Sequence, residues 1–203
     1  MADVTIVNYG LGNIRAFANV YNSLNVSCRI ASTVAELEGA RRLILPGVGA
    51  FDWAVARLNR SGMREMLDEL VLGKRVPVLG VCVGMQMMAN GSEEGVLPGL
   101  GWISGTVRKM SMGGQALPLP HMGWNDVRPT TSDGLFRHLE DPTFYFLHSY
   151  CFVPGDESAI AAVTDYGAPL TSAVQMANIY GTQFHPEKSH HWGVGLLKNF
   201  SEA

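Results

Sequence analysis

The chain is expected to fold as an α/β protein with a mostly parallel sheet flanked by helices, and three observations lead there. Short apolar, β-branched runs recur at residues 4–7, 26–30, 42–45 and 76–81. Between them lie segments of helical periodicity. Several strand ends pass straight into glycine-rich turns, at residues 8–13, 46–49 and 80–84. Such alternation buries both faces of a parallel sheet under helices. Ligands then bind beyond the carboxyl ends of the strands.

The elements follow in order. Residues 4–7 form a strand, and the turn after them is rich in Gly and Asn. Residues 14–24 fit a helix, with Ile14, Phe17, Ala18, Tyr21 and Leu24 on one face. Residues 26–30 are a strand, and Ser32 or Thr33 can cap a short helix through Leu37. Residues 42–45 are the next strand, and 52–72 are helical with a break near Ser61-Gly62. Residues 76–81 form a strand, and 85–89 favour helix. From Gly99 to Tyr150 the chain is richer in Gly and Pro and has no convincing long helix. Strands are expected at 102–107 and 144–152, some antiparallel. Residues 159–164 and 171–175 read as a hairpin, 179–184 as a strand and 193–202 as a closing amphipathic helix. No repeat, low-complexity tract or linker interrupts residues 1–203, which are expected to form a single domain.

Composition excludes several classes. The chain has 203 residues, 47% hydrophobic and 16% charged, which argues against disorder. Net charge is −3 and the pI is near 6.0, so electrostatics make no case for nucleic-acid binding. No apolar run approaches the ~20 residues that span a bilayer. The three cysteines do not suggest a disulfide framework. Met-Ala-Asp-Val at the start lacks the basic and apolar stretches of a signal peptide, so a reducing cytoplasm is expected.

The chemistry begins at Cys82. Gly80-Val81-Cys82-Val83-Gly84 joins a buried strand to a helix, the arrangement of a nucleophile elbow with a thiol in place of a hydroxyl. A helix N-terminus beneath the sulfur would favour the thiolate, the reactive species. Near the other end, His185-Pro186-Glu187 follows a strand. In extended chain, residues i and i+2 face one way, so Glu187 can orient His185 and His185 can take the thiol proton. A third segment, Pro46-Gly47-Val48-Gly49, offers backbone N–H groups to an oxyanion. Gly47 and Gly49 are expected to leave the peptides around Val48 free to reorient. No Lys-Ser/Thr follows these glycines, so the loop does not read as a Walker-type phosphate site.

GVCVGMQ, PGVGAF and GTQFHPEKS resemble the three signatures of class I (triad) glutamine amidotransferases, and the resemblance runs nearly end to end. Pro120-His-Met-Gly-Trp-Asn125 and Tyr145-Phe-Leu-His-Ser-Tyr150 are similar to the glutaminase subunits of imidazole glycerol phosphate synthases, of histidine biosynthesis. Asn8 and Val83 stand where that group often has Asp and Leu. The resemblance implies a flavodoxin-like fold, a catalytic Cys82, His185 and Glu187, and an oxyanion hole of Val48, Gly49 and Val83. It places Gln86, Glu94, His148, Ser149 and Tyr150 around glutamine, and implies no metal and no cofactor. It also implies a partner, a (β/α)8-barrel cyclase in a heterodimer that takes ammonia and makes imidazole glycerol phosphate and AICAR. Tyr9, Asn13, Met122, Trp124 and Lys188 are the interface candidates. Other readings are a glutaminase subunit of another synthase, a Cys-elbow hydrolase or chaperone of flavodoxin-like type, or an inactive scaffold.

Other residues read as structure. Cys28 and Cys151 suit core packing, and Met85, Met87 and Met88 suit a core helix. His190-His191 suits a surface turn better than a metal site, and His138 an exposed position. Gly123 and Asn125 suggest that Trp124 lies on a loop.

Overall fold

The computed structural model describes residues 3–111 and 117–203. Its elements are β1 (Val4–Val7), α1 (Ile14–Ser23), β2 (Cys28–Ala31), α2 (Val34–Leu37), β3 (Leu43–Gly47), α3 (Phe51–Arg60) and α4 (Arg64–Asp68). They continue with β4 (Val78–Cys82), α5 (Val83–Gln86), β5 (Gly91–Ser92), β6 (Gly105–Lys109), β7 (His121–Asp126) and β8 (Arg128–Pro129). The last are β9 (Thr143–His148), β10 (Tyr150–Pro154), β11 (Ile160–Asp165), β12 (Pro169–Met176), β13 (Ile179–Thr182) and α6 (His190–Ser201).

Eight strands form the main sheet in the order β2-β1-β3-β4-β13-β12-β11-β8. β2, β1, β3, β4 and β13 run parallel, and β12, β11 and β8 complete an antiparallel flank. The expected mostly parallel sheet, with some antiparallel strands from the C-terminal half of the chain, is therefore present. Every residue of β1, β3 and β4 is buried, as befits strands covered on both faces. Among the described residues, no helix is long and apolar enough to cross a membrane.

The key adjacency is β4 beside β13, with Val81 opposite Thr182. These strands lie far apart in sequence, yet their carboxyl ends deliver Cys82 and the residues after Thr182 to one place. β3 sits on the other side of β4, with Gly47 opposite Cys82. All three signature segments thus meet at the carboxyl ends of three adjacent central strands.

Local chemistry explains the elements and the departures from expectation. Thr33, rather than Ser32, caps α2 in a capping box with Glu36. The 52–72 helix is broken after Arg60 as expected, and a π-helical stretch, Glu69–Gly73, ends it. α5 is one turn only, so Met87 and Met88 leave the helix, although both are fully buried. Residues 144–152 are two strands, not one, divided at Ser149. Residues 102–104 are bends, and the strand there begins at Gly105. Trp124 lies on a strand rather than a loop, because β7 pairs in antiparallel register with β9 and its glycine tolerates φ +123 there. The hairpin of β11 and β12 forms as expected around Tyr166-Gly167-Ala168. His190 and His191 open α6 instead of a separate surface turn.

Candidate active site

Cys82 has φ 55 and ψ −115, a conformation that a residue with a Cβ adopts only under constraint. The constraint is close packing of glycines. A Cβ on Gly84 would stand 1.9 Å from the Leu45 carbonyl oxygen, and one on Gly47 would stand 2.3 Å from the Gly84 nitrogen. α5 therefore presses its backbone onto β3, and the turn at Cys82 has no slack. The sulfur is thrust up at the strand end while the residue stays 4% exposed. The helix below is too short to carry much dipole. Its first N–H groups, beginning with Val83, still lack helical acceptors.

His185 follows β13 in extended conformation, and Pro186–Lys188 form a 3-10 turn. The His185–Glu187 pair is thus made across the start of a helical turn, not along an extended strand. The Nδ1 of His185 lies 3.0 Å from Glu187 Oε1, which leaves Nε2 for Cys82. Burial lowers the His185 pKa, but hydrogen bonds and charge from Cys82 and Glu187 outweigh it, and the net effect raises it to about 9. That balance favours the imidazolium form of His185 and makes the ring a competent proton acceptor. Among the described residues Glu187 Oε2 has no hydrogen-bond partner. The carboxylate's charge is answered chiefly by His185.

These groups open into a cavity of about 280 Å³. Val48, Gly49, Cys82, Val83, Gln86, Glu94, His148, Ser149, Tyr150, His185 and Lys188 all line it. A thiol, an oriented imidazole, a carboxylate behind it and a loop of backbone donors in one small-molecule pocket suit acyl transfer through a thioester.

Comparison with known proteins decides the family. The model of the family "Glutamine amidotransferase class-I" matches residues 5–202. The chain belongs to the class I glutamine amidotransferases. It is 57% identical over 202 residues to the imidazole glycerol phosphate synthase subunit HisH of Bdellovibrio bacteriovorus, covering 98% of this chain and 99% of that protein. It is 48% identical to the subunit of the same name from Leptospira borgpetersenii, covering 98% of each. The crystal structure of a putative GMP synthase protein from Thermoplasma acidophilum shares the fold, with TM-score 0.74, 23% identity and coverage of 98% of this chain and 92% of that one.

Within this amidotransferase site the expected residues divide by what they touch. Gln86 donates through Nε2 to the Tyr150 carbonyl at 2.9 Å and to Gln183 Oε1 at 3.0 Å. Its own carbonyl oxygen is left for a ligand. Glu94 accepts from the Phe51 N–H at 2.8 Å, so one carboxylate oxygen caps α3 while the residue also borders the cavity. His148 has both ring nitrogens engaged, Nδ1 with the Tyr150 carbonyl at 2.9 Å and Nε2 with His121 Nδ1 at 3.0 Å. It offers ring surface to a ligand and no free nitrogen.

Two expectations need correction. Tyr9 is buried, and its hydroxyl donates to the Pro46 carbonyl at 2.6 Å. It braces the 46–49 loop and cannot be a surface contact. Burial first, and the charge at Cys82 second, push its hydroxyl far above the ordinary tyrosine range. Gly47 is not free to reorient, since it is buried and locked against Gly84. Only Gly49 keeps freedom, with φ +86 and nothing nearer to a Cβ than Trp53 at 3.8 Å. Asn13, Met122, Trp124 and Lys188 are all exposed. Sequence reasoning missed Gln183, whose Nε2 lies 3.7 Å from Cys82 Sγ, and the Leu147 carbonyl, 4.0 Å from the same sulfur. The signal for Gln183 was its place two residues before His185. The carbonyl had none.

Proposed function

We propose that the chain hydrolyses glutamine to glutamate and ammonia through a Cys82 thioester, as the glutaminase subunit of an imidazole glycerol phosphate synthase. The carrying observation is Cys82 in a strained turn beside a His185 that is held by Glu187, at the wall of a small cavity. Cys82 Sγ attacks the side-chain amide carbon as His185 holds the thiol proton. The tetrahedral oxyanion is met by N–H groups of the Val48–Gly49 loop and of Val83. His185 then protonates the leaving nitrogen, the C–N bond breaks and ammonia departs. Water attacks the thioester, His185 takes its proton, and C–S cleavage returns the thiol. Glu94 is placed to meet the substrate ammonium, and Gln86, Ser149 and Tyr150 to hold its polar atoms. No metal or organic cofactor is required by these steps.

Ammonia that escapes to water at neutral pH becomes ammonium, which is not a nucleophile. A docked acceptor enzyme solves this, and we assign that role to a (β/α)8-barrel cyclase. Residues 1–203 act as a single domain in this reading, in a reducing compartment that keeps Cys82 a thiol. Met122 is 66% exposed and Trp124 44%, and they share one face of the β7–β9 ribbon with Leu147. Trp124 stacks on His190 with centroids 5.1 Å apart, and Lys188 lies over the Tyr145 ring. This apolar, cation-edged rim beside the cavity mouth is the docking face.

The test is Cys82→Ala in the reconstituted pair. Glutamine-dependent product formation is expected to vanish, while synthesis from added ammonium salt at high pH persists. Retained glutamine turnover by Cys82→Ala overturns the assignment.

A further inference from the structure

Among the described residues, Gln183 is a polar side chain at the nucleophile that the roles above leave unused. It is fully buried, directly after β13, and its backbone N–H donates to the Ser172 carbonyl at 2.9 Å. Its Oε1 accepts from Gln86 Nε2 at 3.0 Å. The amide orientation follows from that bond and from its neighbour. Gln86 also donates Nε2 to the Tyr150 carbonyl, so Gln86 must present NH₂ to Gln183. Gln183 must therefore answer with its oxygen and turn its NH₂ the other way. The other way is Cys82 Sγ, at 3.7 Å.

We propose that Gln183 is a catalytic residue of this glutaminase, donating a hydrogen bond to the Cys82 sulfur and thereby holding it as thiolate. The inference rests on the reading of Cys82 as nucleophile. The sulfur's other close neighbour argues the same way. The Leu147 carbonyl oxygen stands 4.0 Å from Sγ, where it can accept S–H from the thiol but repels the thiolate. A neutral N–H donor at the same sulfur offsets the repulsion without adding a proton that could compete with His185. A glutamine serves this better than a lysine, whose charge would suppress protonation of His185. The same amide joins the substrate side of the pocket to the nucleophile. Tyr150 carbonyl, Gln86, Gln183 and Cys82 form one chain of hydrogen bonds, each with a fixed direction. The titratable groups around Cys82 are His185 and Glu187 from the turn after β13, Lys188 beyond them, Tyr9 after β1, His148 on β9 and Glu94 after β5. None of them is altered in the variants below.

The bland alternative is that Gln183 only braces Gln86. Two substitutions separate the roles. Gln183→Met keeps length and removes donor and acceptor together. Gln183→Glu keeps an acceptor for Gln86 and removes the amide donor. Iodoacetamide labelling of the full chain is followed against pH by mass spectrometry of the Cys82 peptide. Cys151 does not interfere, since burial pushes its thiol up to about 11. In Gln183→Met the labelling midpoint is expected to rise by about one pH unit or more, roughly a tenfold loss of thiolate below the midpoint. Gln183→Glu is expected to rise at least as far, and kcat for glutamine is expected to fall about tenfold in both while KM moves little. Should Gln183→Met fail to fold, Gln183→Leu, which also lacks a donor and adds no charge beside the sulfur, carries the test in its place. A midpoint within a few tenths of a pH unit of the parent in Gln183→Met, or full recovery in Gln183→Glu, overturns the proposal. Labelling reads the thiolate whether or not glutamine is turned over. Failure of the parent chain to release glutamate therefore counts against the glutaminase reading and not against this one.

Discussion

In the proposed mechanism, catalysis is set by a few side chains whose partners decide their protonation. Burial pulls His185 down, but Cys82 and Glu187 together raise it to about 9. The imidazolium is the acid that the leaving nitrogen needs, so kcat is expected to fall as pH rises through about 9. Glu187→Gln removes one of the two raising partners and is expected to move that alkaline limb to lower pH. His185→Asn is expected to cost ~10²–10⁴ in kcat, as for other general acid–base groups. A pH–rate series on the three proteins checks both statements, and an unmoved limb in Glu187→Gln would give the carboxylate another role. The Cys82, His185 and Glu187 set was legible in the sequence because each residue sits in a short motif with its own local geometry. Gln183 and Tyr9 were not. Their roles depend on which strands lie side by side, and β4 against β13 is a long-range pairing that no local window contains.

Parallel strands, the capped α2 and the β11–β12 hairpin were readable because periodicity, capping and turn residues act over a few positions. β7 was misread while its partner β9 was expected, since Gly123 and Asn125 are turn-like locally and only the partner strand makes them extended. Glycine roles were half legible. Gly84 and Gly47 are needed for contact, Gly49 for conformation. Gly84→Ala places a Cβ 1.9 Å from the Leu45 carbonyl oxygen and is expected to destabilise by about 1–3 kcal/mol or more. Gly91→Ala meets nothing within 4 Å and is expected to stay within about 0.5 kcal/mol of the parent. Urea unfolding of the pair measures the contrast. At Gly49, φ is +86, which proline cannot adopt and alanine adopts at a cost of ~1–2 kcal/mol. Gly49→Ala is thus the cleaner probe of the loop. It is expected to change the ratio of partner-stimulated to basal kcat, with KM for glutamine nearly constant. An unchanged ratio would mean that partner binding does not act by reorienting the Val48–Gly49 peptide, whose N–H is proposed to meet the oxyanion.

At the scale of the molecule, the proposed docking rim and the proposed glutamine pocket share one two-stranded ribbon. Met122, Trp124 and Leu147 point outward from it, while His121, Phe146 and His148 are buried on its other face. Trp124→Ala is expected to weaken the partner complex by about 2 kcal/mol or more, as buried aromatic anchors do. Calorimetric titration with the cyclase measures it. The inner face carries a polar core with directions that can be assigned. Asn125 Nδ2 donates to His121 Nε2 at 3.2 Å, His121 Nδ1 to His148 Nε2 at 3.0 Å, and His148 Nδ1 to the Tyr150 carbonyl at 2.9 Å. His121 is also stacked between Phe146 and Tyr166, with centroids 4.6 and 4.1 Å away. The chain as a whole requires both rings to be neutral, because His121 must accept from Asn125 at Nε2 and His148 must accept from His121 at Nε2. Burial holds both at about 4, below the ordinary histidine value of 6.5. The sign of the linkage follows. Between about pH 4 and 6.5 the unfolded chain binds protons that the folded chain refuses, so stability must rise with pH across that window and be complete above it. His121→Phe keeps the stack but removes one of the two titrating rings. It is expected to flatten the pH dependence of unfolding free energy by about one proton over the same window. Urea melts of parent and variant at a series of pH values read the slope directly. Equal slopes would mean that His121 titrates as freely in the fold as out of it, and the directed chain from Asn125 to Tyr150 would have to be abandoned.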